Sequence, residues 1–333
     1  MAPRSSRVTS ADVAREAGVS RATVSFVLNN TQHQKITDAT RQRVLEAATR
    51  LGYAPSAAAR TLRYGRSDVV LGLLPDWPLG FAAGHLIQEL TLAFAKRSLT
   101  FVVHSSIRGA RSLSEIWKAL TPAAVLAFEP FSDSDAVAMR AAGVEVVVAL
   151  YGSAGLGSNE SIAGENAVGA AQARHLAASH RRLGYAYPDD ERVAVFARPR
   201  LDGVRAVCAE LGLPDPDVRT LPLTPDAAAD AVRAWLAADV PVTGICAFND
   251  EVAMTVLAGL RRLGLEAPRD MAVIGVDNTP AAAVACPPLT SVVQDLPAIA
   301  QLYADTVTAA LDGAQPSGNR IEPQIRLEVR ESA

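Results

Sequence analysis

The run of residues 19–29, VSRATVSFVLN, constrains the fold of this chain more than any other segment. Residues 9–18 predict a helix before it, because Thr9 can accept an N-cap hydrogen bond and Gly18 suits the left-handed position after the last turn. Ser20 can cap a second helix, whose apolar positions fall at helical spacing and face the first helix: Val24, Val27 and Leu28. Two short helices joined by a tight turn predict a helix-turn-helix.

The outward face of the second helix carries side chains that suit the major groove of DNA: Arg21, Ala22, Ser25, Phe26 and Asn29. An arginine can bind guanine through two hydrogen bonds, and small apolar groups can contact the methyl group of thymine. The alternative is a small helical bundle in which these side chains are only solvated, since helix-turn-helix periodicity is a weak signal by itself. The segments that follow favour DNA binding.

Two further segments complete this part of the chain. Residues 36–52 predict a third helix, capped by Thr37 and ended by Gly52. Pro55 disfavours a helical conformation for the residue before it, so a new segment begins there. That segment consists mostly of small residues, and its Leu62 lies between basic residues in the sequence.

Residues 8–63 resemble the DNA-binding headpiece and hinge of the lactose/galactose repressor (LacI/GalR) family. The matching residues are Val8, Thr9, Asp12, Val13, Ala14, Ala17, Gly18, Val19, Ser20, Thr23, Val24, Ser25, Asn29, Thr40, Arg41, Val44, Gly52, Tyr53, Pro55, Ala59, Arg60 and Leu62. The resemblance implies a headpiece over residues 8–53 and a hinge helix with linker over residues 54–67. It also implies base reading by Arg21, Ala22 and Phe26, and contacts with the DNA backbone by Ser20, Thr23, Ser25, Asn29 and Tyr53.

In that family the hinge segment becomes helical when two subunits bind DNA, and paired leucines wedge into a minor-groove step. The resemblance therefore implies that Leu62 is the wedge, with Ala58, Ala59 and Arg63 beside it in the groove. The other interpretation of Leu62 is a core residue of a linker helix. Two headpieces on one duplex imply a homodimer on a palindromic double-stranded operator.

The charge distribution agrees with a DNA-binding headpiece. The net charge is −3, but the first 66 residues hold eleven Lys and Arg against four Asp and Glu. The three cysteines are scattered, which predicts a reducing compartment and neither a zinc site nor a disulfide scaffold. No apolar leader and no run long enough to span a bilayer is present, so we expect a cytoplasmic protein without a membrane partner.

From residue 69 onward, apolar strand patterns alternate with helical patterns, one of them over residues 200–211, which predicts parallel sheets in two lobes. The family resemblance extends over this region: the implied effector-binding and dimerisation core, residues 68–333, is similar to periplasmic sugar-binding proteins. Three crossings between the lobes are expected near Ile162, near Val293 and at residues 312–318. The first lobe then comprises about 68–161 and 294–312, and the second about 162–293 and 318–333. The fold class is thus a small all-α headpiece plus a two-lobed α/β core.

Polar side chains are expected in the cleft between the lobes. Asn249 and Asp277 directly follow predicted strands, and ligands of open parallel sheets bind beyond the carboxyl ends of strands. The resemblance adds Arg200 to them, and Glu165 stands where the family commonly has Asp. Carboxylate, amide and guanidinium groups suit a hydroxylated effector of the sugar or nucleoside class. The alternative is that such residues cap helices or bridge strands, and we predict that Asp250 is a cap.

Aromatic residues in the first lobe leave two interpretations open. Trp77 or Phe81 could stack on a sugar ring, or serve only as loop and core packing.

Enzyme motifs are missing from the sequence: no phosphate-binding loop, no nucleophile elbow and no cluster with metal-ligand spacing. The glycines of residues 152–157 have the wrong spacing for a dinucleotide site, and we expect no cofactor. His85, His104 and His180 are isolated, which favours packing or surface roles. A solute receptor without DNA binding is the other alternative, but the absent signal peptide and the full headpiece disfavour it. The sequence therefore predicts a homodimeric transcriptional repressor controlled by a small-molecule effector.

Overall fold

A computed structural model describes residues 8–28, 36–53, 66–105, 113–129, 131–149, 164–314 and 324–333. The chain divides into two compact units between Ser67 and Asp68. Five residues with predicted DNA contacts lie outside the described residues: Asn29, Ala58, Ala59, Leu62 and Arg63.

The described residues of the first unit form three helices: α1 (Ser10–Ala17), α2 (Arg21–Leu28) and α3 (Asp38–Arg50). Their apolar faces form one small core, in which Val13, Val24 and Val44 are fully excluded from solvent. The turn between the first two helices begins at Gly18, whose φ of 68° is left-handed and therefore suits a residue without Cβ. The predicted helix-turn-helix is confirmed.

Hydrogen bonds at the helix starts fix the geometry of this motif. Asp12 Oδ2 accepts from the backbone nitrogen of Thr9 at 2.9 Å and from its hydroxyl at 2.7 Å. The pKa of Asp12 is lowered below its ordinary value, and the hydrogen bond from the Thr9 hydroxyl is the largest cause. Ser20 Oγ accepts from the backbone nitrogen of Thr23 at 3.1 Å, as predicted for the cap of α2.

The second unit begins with a parallel four-stranded sheet in the order β2-β1-β3-β4. Its strands are β1 (Val69–Leu74), β2 (Thr100–Ser105), β3 (Ala124–Ala127) and β4 (Val146–Ala149). The intervening helices are α4 (Phe81–Ala95), α5 (Leu113–Leu120) and α6 (Asp133–Ala141). Strands β1 and β3 are almost entirely buried, as expected for the centre of a parallel sheet.

A six-stranded sheet follows, in the order β10-β9-β8-β7-β5-β6. Its strands are β5 (Leu183–Pro188), β6 (Asp217–Leu221), β7 (Gly244–Ala247), β8 (Ala272–Val276), β9 (Thr290–Gln294) and β10 (Ile325–Glu328), of which only β10 is antiparallel to its neighbour. The helices of this part are α7 (Glu165–Ala177), α8 (Ala194–Glu210), α9 (Pro225–Leu236), α10 (Asp250–Arg262) and α11 (Pro280–Val284). Parallel sheets with covering helices confirm the predicted α/β class.

The last helix, α12 (Leu296–Leu311), returns to the first sheet. Its Tyr303 and Val307 belong to the same buried cluster as Val70 and Leu90 of the first lobe. The guanidinium of Arg97 also donates to Gln301 of this helix at 3.0 Å. Strand β10 then pairs with β9, so the chain returns to the second sheet after this helix.

One helix start was predicted wrongly. The sequence predicts a helix that begins at Arg200, but α8 begins at Ala194, after a short 3-10 turn over Glu191–Val193, and carries Pro199 inside it. A proline removes one helical hydrogen bond and is read from sequence as a boundary. Here the first turns of α8 are stabilised by apolar packing, since Phe196 contacts the buried cores of both lobes.

Candidate ligand cavity and nucleic-acid interface

A cavity of about 410 Å³ is lined by residues from both lobes. The side chains from the first lobe are apolar: Leu74, Trp77, Pro78, Ala82, Ala83, Leu86 and Phe128. The second lobe contributes the polar groups, and all four predicted effector residues are among them: Glu165, Arg200, Asn249 and Asp277. The structure therefore brings together residues that are up to 112 positions apart in the sequence.

Glu165 and Arg200 form a buried ion pair. Arg200 Nε lies 2.5 Å from Glu165 Oε2, and each side chain is 6% exposed. Arg200 Nη1 also donates to the backbone carbonyl of Phe248 at 2.7 Å, and its guanidinium carbon lies 4.9 Å from the centre of the Phe248 ring. Glu165 Oε1 accepts from Gln294 Nε2 at 3.2 Å. Both charges are thus compensated inside the protein.

The surroundings of Arg200 keep it charged. Burial by itself disfavours the guanidinium cation, but the neighbouring carboxylates of Glu165 and Asp277 outweigh it and raise the pKa of Arg200 above its ordinary value. Arg200 is therefore a permanent cation at the polar end of the cavity.

The close crossing of α7 and α8 makes this ion pair possible. A Cβ atom at Gly169 would lie 1.8 Å from the backbone oxygen of Arg200, and one at Gly203 would lie 1.9 Å from that of Asn166. Only glycine allows the two backbones to approach so closely. The two helices can therefore place Glu165 and Arg200 side by side.

Asp277 follows β8 with an unusual backbone. Its φ of 98° lies in a region that L-residues rarely adopt, and Asn278 after it has a φ of 50°. Oδ1 of Asp277 is buried and has no hydrogen-bond partner among the described residues. Burial raises the pKa of Asp277 to about 6, although the nearby Arg200 opposes the shift. The carboxylate is an unsatisfied acceptor at the cavity wall.

Asn249, and not Asp250, caps the helix that follows β7. Asn249 is the N-cap of α10, and its Oδ1 accepts from the backbone nitrogen of Val252 at 3.0 Å. Asp250, predicted as a cap, instead accepts from Ser291 Oγ and from the backbone nitrogen of Thr279, both at 2.7 Å. The prediction for Asp250 was wrong because its carboxylate is turned inward, where it joins β9 to the turn after β8.

An aromatic group closes the apolar side of the cavity. Trp77 is buried, and its ring packs edge-on against Phe128 and Phe196 with centroid distances of 6.2 Å and 4.8 Å. Trp77 Nε1 donates to Glu129 at 3.2 Å. Phe81, the other aromatic candidate, is 44% exposed. Trp77 therefore packs against other aromatic rings and lines the cavity as well.

Sequence reasoning missed several residues of the cavity wall. Val193 and Phe196 were missed because the helix was predicted to start after them, although the apolar spacing at residues 193–197 could have shown it. Gln294 was not among the predicted effector residues. No sequence signal indicates that it would bind Glu165.

The headpiece presents the predicted DNA-contact residues to different degrees. Arg21 and Ala22 are exposed on α2, and Ser20 is exposed before it. Thr23, Ser25 and Phe26 are half-buried. Tyr53 is half-buried as well and packs against the core of the three helices. The first turn of α2 is therefore its most accessible part.

The described ranges contain no group of three or more His, Cys, Asp and Glu side chains that could hold a metal ion. Within the same residues, no helix has the length and apolar character needed to cross a bilayer. His180 Nδ1 lies 2.9 Å from Thr243 Oγ1, and burial lowers the pKa of this histidine.

Comparison with known proteins matches both units. Residues 9–56 match the bacterial regulatory proteins of the lacI family, and residues 173–333 match the periplasmic binding protein-like domain. The transcriptional regulator CelR of Thermobifida fusca is 30% identical, over 99% of this chain and 99% of its own length. Catabolite control protein A of Priestia megaterium is 28% identical, over 98% and 99%.

Solved structures agree in fold. A lac repressor dimer bound to operator and the anti-inducer ONPF superimposes with a TM-score of 0.74 at 23% identity, covering 98% of this chain and 99% of that one. A complex of the transcriptional regulator CelR with cellobiose has a TM-score of 0.64 at 26% identity, covering 98% and 100%. With the helix-turn-helix and the two-lobed core, these matches show that this chain belongs to the LacI family of DNA-binding transcriptional regulators.

Proposed function

We propose that this protein is a repressor that binds a pseudo-palindromic operator as a homodimer and is controlled by a sugar or nucleoside-like effector in the cavity. The observation that carries the proposal is the cavity between the lobes, which holds an unsatisfied carboxylate in a chain with a helix-turn-helix. A similar protein of Photobacterium profundum, 28% identical, is named as a transcriptional repressor. That name favours repression over activation.

The chemistry of the cavity supports a hydroxylated ring as effector. Asp277 Oδ1 can accept a hydrogen bond from a hydroxyl, and the amide nitrogen of Asn249 can donate one. Trp77 and Phe248 offer apolar faces on which a ring can lie. The similar CelR has been solved with cellobiose, which makes sugars the first class to test.

Control of DNA binding follows from the position of the cavity between two lobes. A ligand that contacts both lobes binds one arrangement of them better than another, and this difference in affinity sets the change in operator affinity. On DNA, we expect the hinge of each subunit to insert Leu62 into a minor-groove step, with Ala58, Ala59 and Arg63 beside it in the groove. The lac repressor dimer on its operator, which shares this fold, supports the dimeric arrangement.

Selection of bound duplexes from a random DNA library, with the purified full chain and subsequent sequencing, tests the DNA part of the proposal. We expect a pseudo-palindrome with an easily deformed central step. Binding without a motif, lost entirely in moderate salt, would contradict a hinge-dependent operator.

The selected duplex then serves to test the effector. Fluorescence anisotropy of a labelled duplex is measured while cellobiose, monosaccharides and nucleosides are added one at a time. A compound that changes operator affinity in the wild type but not in Asp277→Ala supports the cavity as effector site. A compound that acts equally on both proteins would place its site elsewhere.

A further inference from the structure

The turn after β8 holds the carboxylate of Asp277 in the cavity wall at the expense of backbone strain. Asp277 and Asn278 are consecutive residues with positive φ, and neither is a glycine. Such a backbone persists only where the surrounding structure holds it in place, and it is often found at ligand sites.

Backbone hydrogen bonds hold part of this turn. The nitrogen of Asp277 donates to the carbonyl of Val292, and the nitrogen of Asn278 donates to Ser291 Oγ, both at 2.9 Å. Asp250 binds both Ser291 and the nitrogen of Thr279, as described above. These bonds fix the main chain of the turn on the side of β9.

Arg330 holds the turn from its other side. Its Nη2 donates to Asn278 Oδ1 at 2.6 Å, while its Nη1 donates to the carbonyl of Leu289 at 2.7 Å. The backbone nitrogen of Arg330 also donates to Thr290 Oγ1 at 3.0 Å. The guanidinium is thus anchored to the start of β9 and binds the side chain of the strained residue next to Asp277.

We propose that Arg330 is a positioning residue of the ligand cavity, which acts through Asn278 to hold Asp277 in its wall. Arg330 is not among the residues that line the cavity, so it does this without touching a ligand. The inference rests on the proposed function only in that Asp277 is the acceptor for the effector. The positioning itself is tested without any effector.

The ionisation of Asp277 reports on its position. The charged groups that face it are Arg200 from α8, Asp250 and Glu251 from α10, and Glu165 from α7. Burial raises the pKa of Asp277 to about 6, so the contribution of Asp277 to wild-type stability falls as pH rises from about 4 to about 6. If the turn relaxes, the carboxylate gains water and this fall becomes smaller.

The experiment measures Tm of the full chain from pH 4 to pH 7.5 for the wild type, Asp277→Asn, Arg330→Ala and the double variant. The difference in Tm between Asp277→Asn and the wild type isolates the titration of Asp277. We expect this difference to grow by several degrees between pH 4 and pH 6. We expect the difference in Tm between the double variant and Arg330→Ala to stay nearly constant over the same pH range.

Arg326→Ala is the matched control. Arg326 lies four residues earlier, is 63% exposed and pairs with Glu328 at 2.7 Å. In the Arg326→Ala background, the difference in Tm between the protein with Asp277→Asn and the protein with Asp277 should keep its full dependence on pH. An equal loss of dependence in both backgrounds would overturn the proposal.

A purely structural role for Arg330 gives a different result. Arg330→Ala would then lower Tm equally at every pH, and the effect of Asp277→Asn would keep its wild-type pH dependence. No pH dependence of that effect in the wild type would overturn the proposal as well. If Arg330→Ala does not fold, Asn278→Ala removes the acceptor of the same hydrogen bond and should flatten the pH dependence in the same way.

The outcome stays separate from that of the proposed function. These melting curves contain neither DNA nor effector, so a failed operator selection leaves their interpretation unchanged. Conversely, a positioning role that fails here leaves open whether Asp277 itself binds the effector, which the anisotropy assay decides.

Discussion

The headpiece and the cavity hold their functional side chains in opposite ways. Arg21 and Ala22 are exposed at the start of a single helix, close to each other in the sequence. Glu165 and Arg200 are buried, come from different helices and are bonded to each other. Substitution of Arg21 or Ala22 should therefore change DNA recognition alone. Substitution of Glu165 or Arg200 should change the stability of the fold together with effector binding.

The largest loss of stability is expected on breaking the buried ion pair between Glu165 and Arg200. Glu165→Ala leaves the buried Arg200 cation without its main partner, which is expected to cost about 3–5 kcal/mol of the free energy of unfolding. Urea denaturation followed by circular dichroism measures this loss. Replacing both residues, as in Glu165→Leu with Arg200→Met, should restore part of it, because the ion pair is then removed as a whole, although Asp277 loses the neighbouring Arg200 cation.

A second ion pair between the same two helices is the matched control. Arg174 of α7 lies 3.1 Å from Glu210 of α8, and both side chains are 59% exposed. Glu210→Ala should therefore cost no more than about 1 kcal/mol. Similar losses for Glu165→Ala and Glu210→Ala would show that burial does not set the energetics of the cavity.

The apolar side of the cavity comes next in size. Trp77→Ala removes a buried ring that packs against Phe128 and Phe196, which should cost about 3 kcal/mol of the free energy of unfolding. Trp77→Phe should lose less than half of that. Phe81→Ala, at a residue 44% exposed, is the control and should lose much less in the same denaturation experiment. A loss for Phe81→Ala as large as that for Trp77→Ala would contradict the assignment.

Asp277 is the exception within the cavity, because its replacement should stabilise the fold. A carboxyl with a folded pKa of about 6 and an unfolded value of 3.8 binds more protons in the folded state between these values. The contribution of Asp277 to the free energy of unfolding therefore falls as pH rises from about 4 to about 6, by up to roughly 3 kcal/mol. Asp277→Asn should escape this fall and be the more stable protein at pH 7.

The same variant should lose its response to effector. Operator affinity without effector is expected to stay within about twofold of the wild type, since Asp277 lies in the second unit. Anisotropy titrations with the selected duplex measure both quantities. A variant of Asp277 that is more stable yet responds normally would show that the unsatisfied carboxylate serves no ligand.

The two regions also differ in how far the sequence predicts them. The helix-turn-helix could be predicted because its signals are local: Thr9, Gly18 and Ser20 each act on backbone groups within a few residues. Asn249 and Asp277 could be placed at the cavity because each follows a strand, and parallel strands end at one edge of a sheet.

The rest of the cavity depends on tertiary packing. Phe196 was missed because Pro199 is read as a helix boundary, whereas contacts with both lobes keep the helix continuous through it. Asn249 and Asp250 are adjacent polar residues at a helix start, and Asp250 turns inward to Ser291 and Thr279, which lie far from it in the sequence. Distances between strands that are far apart in sequence cannot be read from local patterns.

The smallest effect on stability is expected in the headpiece. Arg21→Ala should change the free energy of unfolding by less than about 0.5 kcal/mol, because the side chain is exposed. Repeated selection of bound duplexes should show relaxed preference at one symmetric pair of positions, with a loss of about 1–3 kcal/mol of discrimination there. Arg15→Ala, at a side chain 78% exposed on α1, is the control and should keep the full motif. A uniform loss of affinity for all sequences would instead make Arg21 a phosphate contact, and the headpiece would then read bases through other residues of α2.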